Sequence, residues 1–338
     1  MPFSMAEQSF RRKTVYRNDG AVHDAGLRNH PPEKASTMYV LLGSNGQITS
    51  QLARHLLAAG HAVRVVGRDA RALASLQQAG AQVAAGEPGD ADFLVRAFAG
   101  AAAVYAMTPP CYGEPRMRAA QDRIGTAVAQ ALRRAGVPRV VNLSSVGAEL
   151  PHGTGPIEGL HAQEHRLDAI GGLDLLHLRP GAFMENFFAA MEPILQAGVL
   201  PGLEAPDAVI PMVATRDIAR VAARELAAPK HRGTLVLHAP HHVTPRAAAA
   251  AIGAAIGRPQ LAYVQSPPAQ AREALRAHGF SDDAADQLVA LGRWLSTSPV
   301  ASAAAGPAEV QPTTVEAFAR EVFAPAYAGR VKAAVQAA

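Results

Sequence analysis

Cysteine is almost missing. Cys111 stands alone in 338 residues, which excludes an internal disulfide framework and a thiolate zinc cluster. A chain this poor in thiols fits a reducing compartment, and a cytoplasmic location is expected. Lysine is nearly as scarce, limited to Lys13, Lys34, Lys230 and Lys332, so arginine carries almost all of the positive charge. Lys+Arg of 32 against Asp+Glu of 28 leaves +4. That excess is too small for a nucleic-acid footprint, and no basic tract is interleaved with aromatics, so no nucleic-acid partner is expected. No apolar run reaches the ~18 residues of a membrane span; the alanine stretch Ala247–Ile256 is too short and too weakly apolar. Residues 1–37 lack the apolar segment of a secretory signal and show no sustained periodicity. They are expected to be a disordered tail, with a transit peptide as the minor alternative.

What is present is a globular composition, with 49% hydrophobic and 18% charged residues, and a regular alternation after Met38. Met38-Tyr39-Val40-Leu41-Leu42 is a continuous apolar run, as expected of a strand buried on both faces. A helix with Ile48, Leu52 and Leu56 on one face follows and stops at Gly60. Further strands are expected at His61–Val66, near Gln82-Val83-Ala84, at Ala103–Ala106, Arg139–Leu143 and Asp174–Leu178, with a long helix at about Pro115–Ala135. Strand and helix repeated this way predict an α/β fold, a Rossmann-type doubly wound parallel sheet. Residues 38–180 form the dinucleotide-binding part of that reading. Residues 181–338 are read as a mixed α/β region that completes the sheet and forms a small, mostly helical substrate lobe. Within it, Val209–Val213 reads as extended, Thr215 as a helix N-cap, Thr234–His238 as a strand and Thr244-Pro245 as a helix start. Ser296–Pro312 reads as an interruption rich in Ser, Ala, Gly and Pro.

Between the first strand and first helix lies Gly43-Ser44-Asn45-Gly46-Gln47-Ile48-Thr49. A glycine-rich loop in this context suits a pyrophosphate. Gly43 permits the tight turn, and Gly46 lets backbone approach the anion at a helix N-terminus, where free N–H groups and the dipole favour negative charge. Thr49 replaces the third glycine of the usual pattern, which puts helix–strand spacing in question more than the phosphate site. The second strand then ends in Gly67-Arg68 rather than the Asp or Glu that reads an NAD ribose. A guanidinium there can pair with a 2′-phosphate, so NADP(H) is expected over NAD(H), with a merely solvated Arg68 as the alternative. Asp69 is expected to cap the next helix.

With Val141-Asn142-Leu143-Ser144-Ser145 and Leu178-Arg179-Pro180-Gly181-Ala182-Phe183-Met184-Glu185-Asn186, the chain from Met38 to about Tyr327 resembles the NmrA-like family, atypical members of the short-chain dehydrogenase/reductase superfamily. The Arg-Pro-Gly-x-Phe-Met-Glu-Asn segment is the most specific part of that resemblance. It implies a dinucleotide-binding domain, a small C-terminal lobe, and one of two activities: reduction of quinone-type substrates, or redox sensing on behalf of a regulatory protein partner.

Relatives that reduce simple carbonyls use Tyr-x-x-x-Lys, in which lysine lowers the tyrosine pKa. None of the six tyrosines here has lysine four residues on, so that chemistry is excluded. The corresponding helix instead reads Gly159-Leu160-His161-Ala162-Gln163-Glu164-His165. His161 is the candidate proton donor; the competing readings are a polar helix face and, remotely, an inverted zinc-protease pattern. Ser144 at the end of the fifth strand is a candidate cofactor contact, and Thr108-Pro109 after the fourth a candidate wall of the cofactor cleft. Cys111 reads as a bystander thiol.

Overall fold

The computed structural model describes residues 37–43, 46–297, 300 and 305–337. The expected tail therefore lies outside the described residues, as do Ser44 and Asn45.

Six strands follow the sequence reading to within a residue or two: β1 (Met38–Leu42), β2 (Ala62–Gly67), β3 (Gln82–Ala85), β4 (Ala103–Met107), β5 (Arg139–Leu143) and β6 (Asp174–Pro180). After them come β7 (Ala182–Phe183), β8 (Val199–Gly202), β9 (Met212–Val213), β10 (Gly233–His238), β11 (Ala262–Gln265) and β12 (Ala308–Val310). Eight form one parallel sheet in the order β12–β10–β6–β5–β4–β1–β2–β3. The order 3-2-1-4-5-6 within it is that of the dinucleotide-binding α/β fold, and it reverses between β1 and β4.

The first strand shows why its apolar run is unbroken. Tyr39 and Leu41 point into one core with α1 (Gln47–Ala58), through Ile48, Leu52 and Leu56; the same core takes Ile218, Val221 and Leu226 of a later helix. Val40 and Leu42 point into the opposite core, with Leu94 and Phe98 from the helix at Ala91–Phe98 and Ile124, Val128 and Leu132 from the helix at Met117–Arg134. Residues two apart share a face of a strand, so covering both faces demands apolar side chains at every position.

The C-terminal half departs from the sequence reading in three places. Val209–Val213 is extended, but only Met212–Val213 pairs as a strand, with β7, while Ile210 bridges to Val243. Thr215 is not an N-cap. Ala214 takes that position, and Thr215 opens the helix Thr215–Ala227 with its amide donated to both carboxylate oxygens of Glu185, each at 3.0 Å. A distant carboxylate thus does the capping that a local hydroxyl was expected to do. Third, β12 forms inside the stretch read as an interruption and extends the sheet beside β10; three residues are too few to show a period. Thr244 does cap its helix, accepting from the Ala247 amide with Pro245 next in line. A separate apolar cluster holds this half together, built around Met184, Ile194, Leu200, Ile252, Phe318 and Phe323.

Candidate active site

The site is built where loops leave the carboxyl ends of β1, β2, β4 and β5, on both sides of the point where the strand order reverses. The chain leaves β1 through Gly43, whose φ of 108° lies where side chains are strained. A Cβ there would also come within 2.7 Å of Thr49 Oγ1. Thr49 is buried and donates to the Leu42 carbonyl at 3.3 Å. That bond resolves the question raised by the missing third glycine: threonine is accommodated by tying the helix to the strand end. It also makes Gly43 obligatory. Gly46 stands before α1 with no side-chain cap, and a Cβ on it would meet nothing within 4 Å. Among the described residues no side chain meets this helix N-terminus, which suits an arriving phosphate. The Gln47 side chain accepts from the Thr215 hydroxyl at 3.3 Å and Ile48 is buried in the core, so the two side chains are engaged within the protein and their backbone is what remains toward the loop.

Gly43 donates its amide to the Val66 carbonyl at 3.1 Å, which brings the glycine turn beside Gly67 and Arg68. Arg68 is exposed. Among the described residues its guanidinium makes no ion pair or hydrogen bond. Asp69 accepts from the Arg71 amide at 2.8 Å and so caps the following turn.

Beyond β4, Thr108 is buried and Pro109 half-buried. Cys111, at a φ of 56°, is half-buried. Burial pushes its thiol pKa up and Glu114 adds to this, against the opposing charges of Arg123 and Arg68. A thiol shifted in that direction is a poor nucleophile. The loop is pinned from the far end of the chain by a helical hairpin, Pro268–Ala277 and Asp282–Leu295. Phe280 stacks on Tyr112 at 4.8 Å, Ser281 donates its amide to the Tyr112 carbonyl, and Asp283 accepts from the Met117 amide at 2.7 Å.

After β5, Ser144 is buried and gives its amide to the Leu178 carbonyl. Its hydroxyl makes no well-formed hydrogen bond among the described residues, but it lies near the Glu164 carboxylate and helps hold that group ionised. The loop continues through Gly147, against which the Trp294 ring packs so closely that a Cβ would lie 2.6 Å from it. It then reaches the helix Ile157–Asp168, which carries His161. His161 Nδ1 lies 2.8 Å from the Ala148 carbonyl. A carbonyl only accepts, so Nδ1 bears the hydrogen, and Nε2 has no partner among the described residues. The His165 ring packs edge-on at 4.4 Å. One turn on, Glu164 takes both Nε and Nη2 of Arg179 on its two oxygens. Burial raises the Glu164 pKa, but the Arg179 bonds and nearby His177 outweigh it and hold the carboxyl below its usual range. This commitment also removes Glu164 as a metal ligand beside His161 and His165. Among the described residues no group of three His, Cys, Asp or Glu is placed to hold a metal.

Sequence reading missed Glu149, Asp283 and the role of Trp294. It quoted Arg179 and Glu185 only as parts of a motif. Each acts on a partner 15 or more residues away, and no local pattern announces such a pairing.

A family model described as the NmrA-like family matches residues 35–319. The chain belongs to the NmrA-like family. Two characterised relatives are similar over most of their length. One is the NAD(P)H azoreductase of Xenophilus azovorans, 28% identical over 254 residues, 74% of this chain and 85% of that protein. The other is the (4-alkanoyl-5-oxo-2,5-dihydrofuran-3-yl)methyl phosphate reductase of Streptomyces griseus, 30% identical over 241 residues, 71% of this chain and 81% of that protein. Among solved structures, the NADPH-dependent quinone oxidoreductase of Escherichia coli complexed with NADPH superposes with a TM-score of 0.69. It is 23% identical and covers 85% of this chain and all of its own. This NmrA-like chain thus has the Rossmann-type fold of that structure, and its distant homologues are NAD(P)H-dependent reductases. None of the described helices is long and apolar enough to cross a membrane.

Proposed function

We propose that this chain is an NADPH-dependent oxidoreductase of the atypical type, reducing small conjugated acceptors such as quinones or enones, with residues 181–338 supplying the substrate lobe. The observation that carries the reading is the combination at the cleft: a helix N-terminus that no described side chain caps, behind an obligatory glycine turn, beside an arginine with no partner among the described residues. A dinucleotide phosphate fits the first and a 2′-phosphate the second. The names of the relatives share one kind of chemistry, since an azo group, a quinone and an acyl-substituted dihydrofuranone each offer a polarised multiple bond. The nicotinamide, when bound, supplies the hydride.

What the chain supplies is placement and a proton. Gly43, Gly46 and the first turn of α1 hold the pyrophosphate, and Arg68 reads the 2′-phosphate. Thr108 and Pro109 wall the cleft, and Ser144 lines its floor. With its Nδ1 hydrogen given to the Ala148 carbonyl, His161 delivers a proton to the reduced oxygen from Nε2 of the imidazolium; otherwise water does. No tyrosine is needed for this, because a reduced quinone oxygen is readily protonated once hydride has arrived.

The test is turnover. Purified protein is expected to consume NADPH with members of a quinone and enone panel and to leave secondary alcohols untouched with NADP⁺. His161→Ala is expected to slow the quinone reaction by up to ~10²-fold with little change in NADPH affinity. The missing Tyr-x-x-x-Lys also suits a second reading, a sensor reporting NADP(H) state to a protein. That reading wins if no acceptor is turned over while NADP⁺ and NADPH bind with clearly different affinities.

A further inference from the structure

The geometry points to Arg179 as the positioning residue that sets the tautomer and reach of His161, an inference that rests on His161 acting in the reaction proposed above. Two separate pieces of chain meet at His161. One is its own helix, which carries Glu164 three residues on. The other is the loop after β5, which carries Ala148, the carbonyl that accepts from Nδ1, and then Glu149. The length of the Nδ1–Ala148 bond depends on the spacing between helix and loop; farther along, the Gly153 amide donates to Glu158 at 2.8 Å, which ties the loop to the first turn of the helix but not to the turn that carries His161. Arg179, at the end of β6, reaches both. Nε donates to Glu164 Oε1 at 2.9 Å and Nη2 to Glu164 Oε2, while Nη1 donates to Glu149 Oε2 at 3.4 Å.

The Arg179 and Glu164 side chains are 12% and 7% exposed, so water neither screens nor replaces these bonds. A guanidinium suits the task because its donors lie in one rigid plane and can grip two carboxylates at a fixed angle; an ammonium is a single point of charge on a flexible stem. One rigid fork therefore ties the helix of His161 to the carbonyl that orients its ring. With the fork in place, Nδ1 keeps its hydrogen on Ala148 and Nε2 is left without a partner among the described residues. With it loosened, helix and loop separate and the ring is free to take the other tautomer or turn aside.

The test reads the imidazole directly. ¹⁵N NMR of the ring nitrogens, with His161 assigned by its loss in His161→Ala, is compared in wild type, Arg179→Lys and Glu149→Gln, alongside steady-state kinetics with NADPH and a quinone. In wild type the Nδ1–H tautomer is expected to dominate. Arg179→Lys keeps the charge but not the fork. It is expected to raise the Nε2–H population and to lower kcat ~10–100-fold, the cost of sub-ångström misplacement, with the NADPH KM unchanged. Glu149→Gln is expected to do the same more weakly, and it answers the question if Arg179→Lys fails to fold. Added to His161→Ala, Arg179→Lys is expected to cost nothing further. An unchanged tautomer in both variants overturns the inference, whatever happens to turnover, and so does full rescue by lysine. A shifted tautomer with unchanged turnover upholds the positioning role and refutes His161 as a participant in the reaction.

Discussion

Between β1 and β2 the cleft is shaped by backbone. Gly43 turns at positive φ, Thr49 ties helix to strand, and Arg68 is exposed with no partner among the described residues. Between β5 and β6 the same cleft is shaped by long side chains that hold one another. Arg179 grips Glu164 and Glu149, and neighbouring His177 stands between Asn142 and Asp168 at 3.1 and 3.2 Å. The contrast follows from what each end must do. A phosphate asks for bare N–H groups and one exposed cation, which a tight turn supplies cheaply. A reacting centre asks for a ring held within fractions of an ångström, which takes a supporting framework of satisfied polar groups.

If the contrast is real, Arg179→Met has the largest effect and falls on the fold. It strands the Glu164 charge in a buried setting and is expected to cost about 3–5 kcal/mol of unfolding free energy in chemical denaturation. Arg179→Met combined with Glu164→Leu is expected to regain most of that loss, because two apolar groups leave no charge uncompensated. The pair also predicts a pH response. The native Glu164 carboxyl titrates below its ordinary value of about 4.3, so its contribution is complete above that value and fades as pH falls through the lowered native one. Wild type should lose stability over that acid range more steeply than Glu164→Gln. Matching acid profiles would mean the pair contributes nothing.

Arg68→Glu probes the other end and should leave the fold alone. NADPH binding is expected to weaken by about 1.5–3 kcal/mol, the scale of a charged hydrogen bond, with NADH nearly unaffected and the melting temperature unchanged. Equal losses for both cofactors in calorimetry would remove the 2′-phosphate from the argument. The mildest change tests the turn itself. Gly43→Ala forces a side chain to a φ of 108° and against Thr49, at an expected cost of about 1–3 kcal/mol. Gly46→Ala meets no neighbour and is expected to leave stability unchanged within about 0.5 kcal/mol. Similar losses from the two would show that the loop's glycines are not distinguished by geometry.

The same contrast explains what could be read from the chain. The backbone half was legible because its signals are local. A strand's apolar run, a glycine loop and a helix period lie within a dozen residues, and together they specify sheet order as far as β6. The side-chain half was not. Arg179, Glu164 and Glu149 are separated by a loop and a helix, and Glu185 finds Thr215 thirty positions away. Their residue types alone say only that charges are present. His161 was reached from its helix, but its tautomer depends on the Ala148 carbonyl, which no side-chain pattern encodes. The sheet's last strand escaped for a simpler reason, being three residues in a stretch whose composition favours loops.

Asp283 has a consequence beyond pinning a loop. Two helices begin on either side of the point where strand order reverses, α1 and the one at Met117, and each starts with positive partial charge from its free N–H groups. At Met117 the Asp283 carboxylate already meets that charge; at Gly46 no side chain among the described residues does. A carboxylate at one helix start and none described at the other favours the α1 side for an anion. Under the proposed function, the polarity of a long phosphate-bearing ligand then depends in part on a residue from the C-terminal hairpin, 166 positions from the amide it meets.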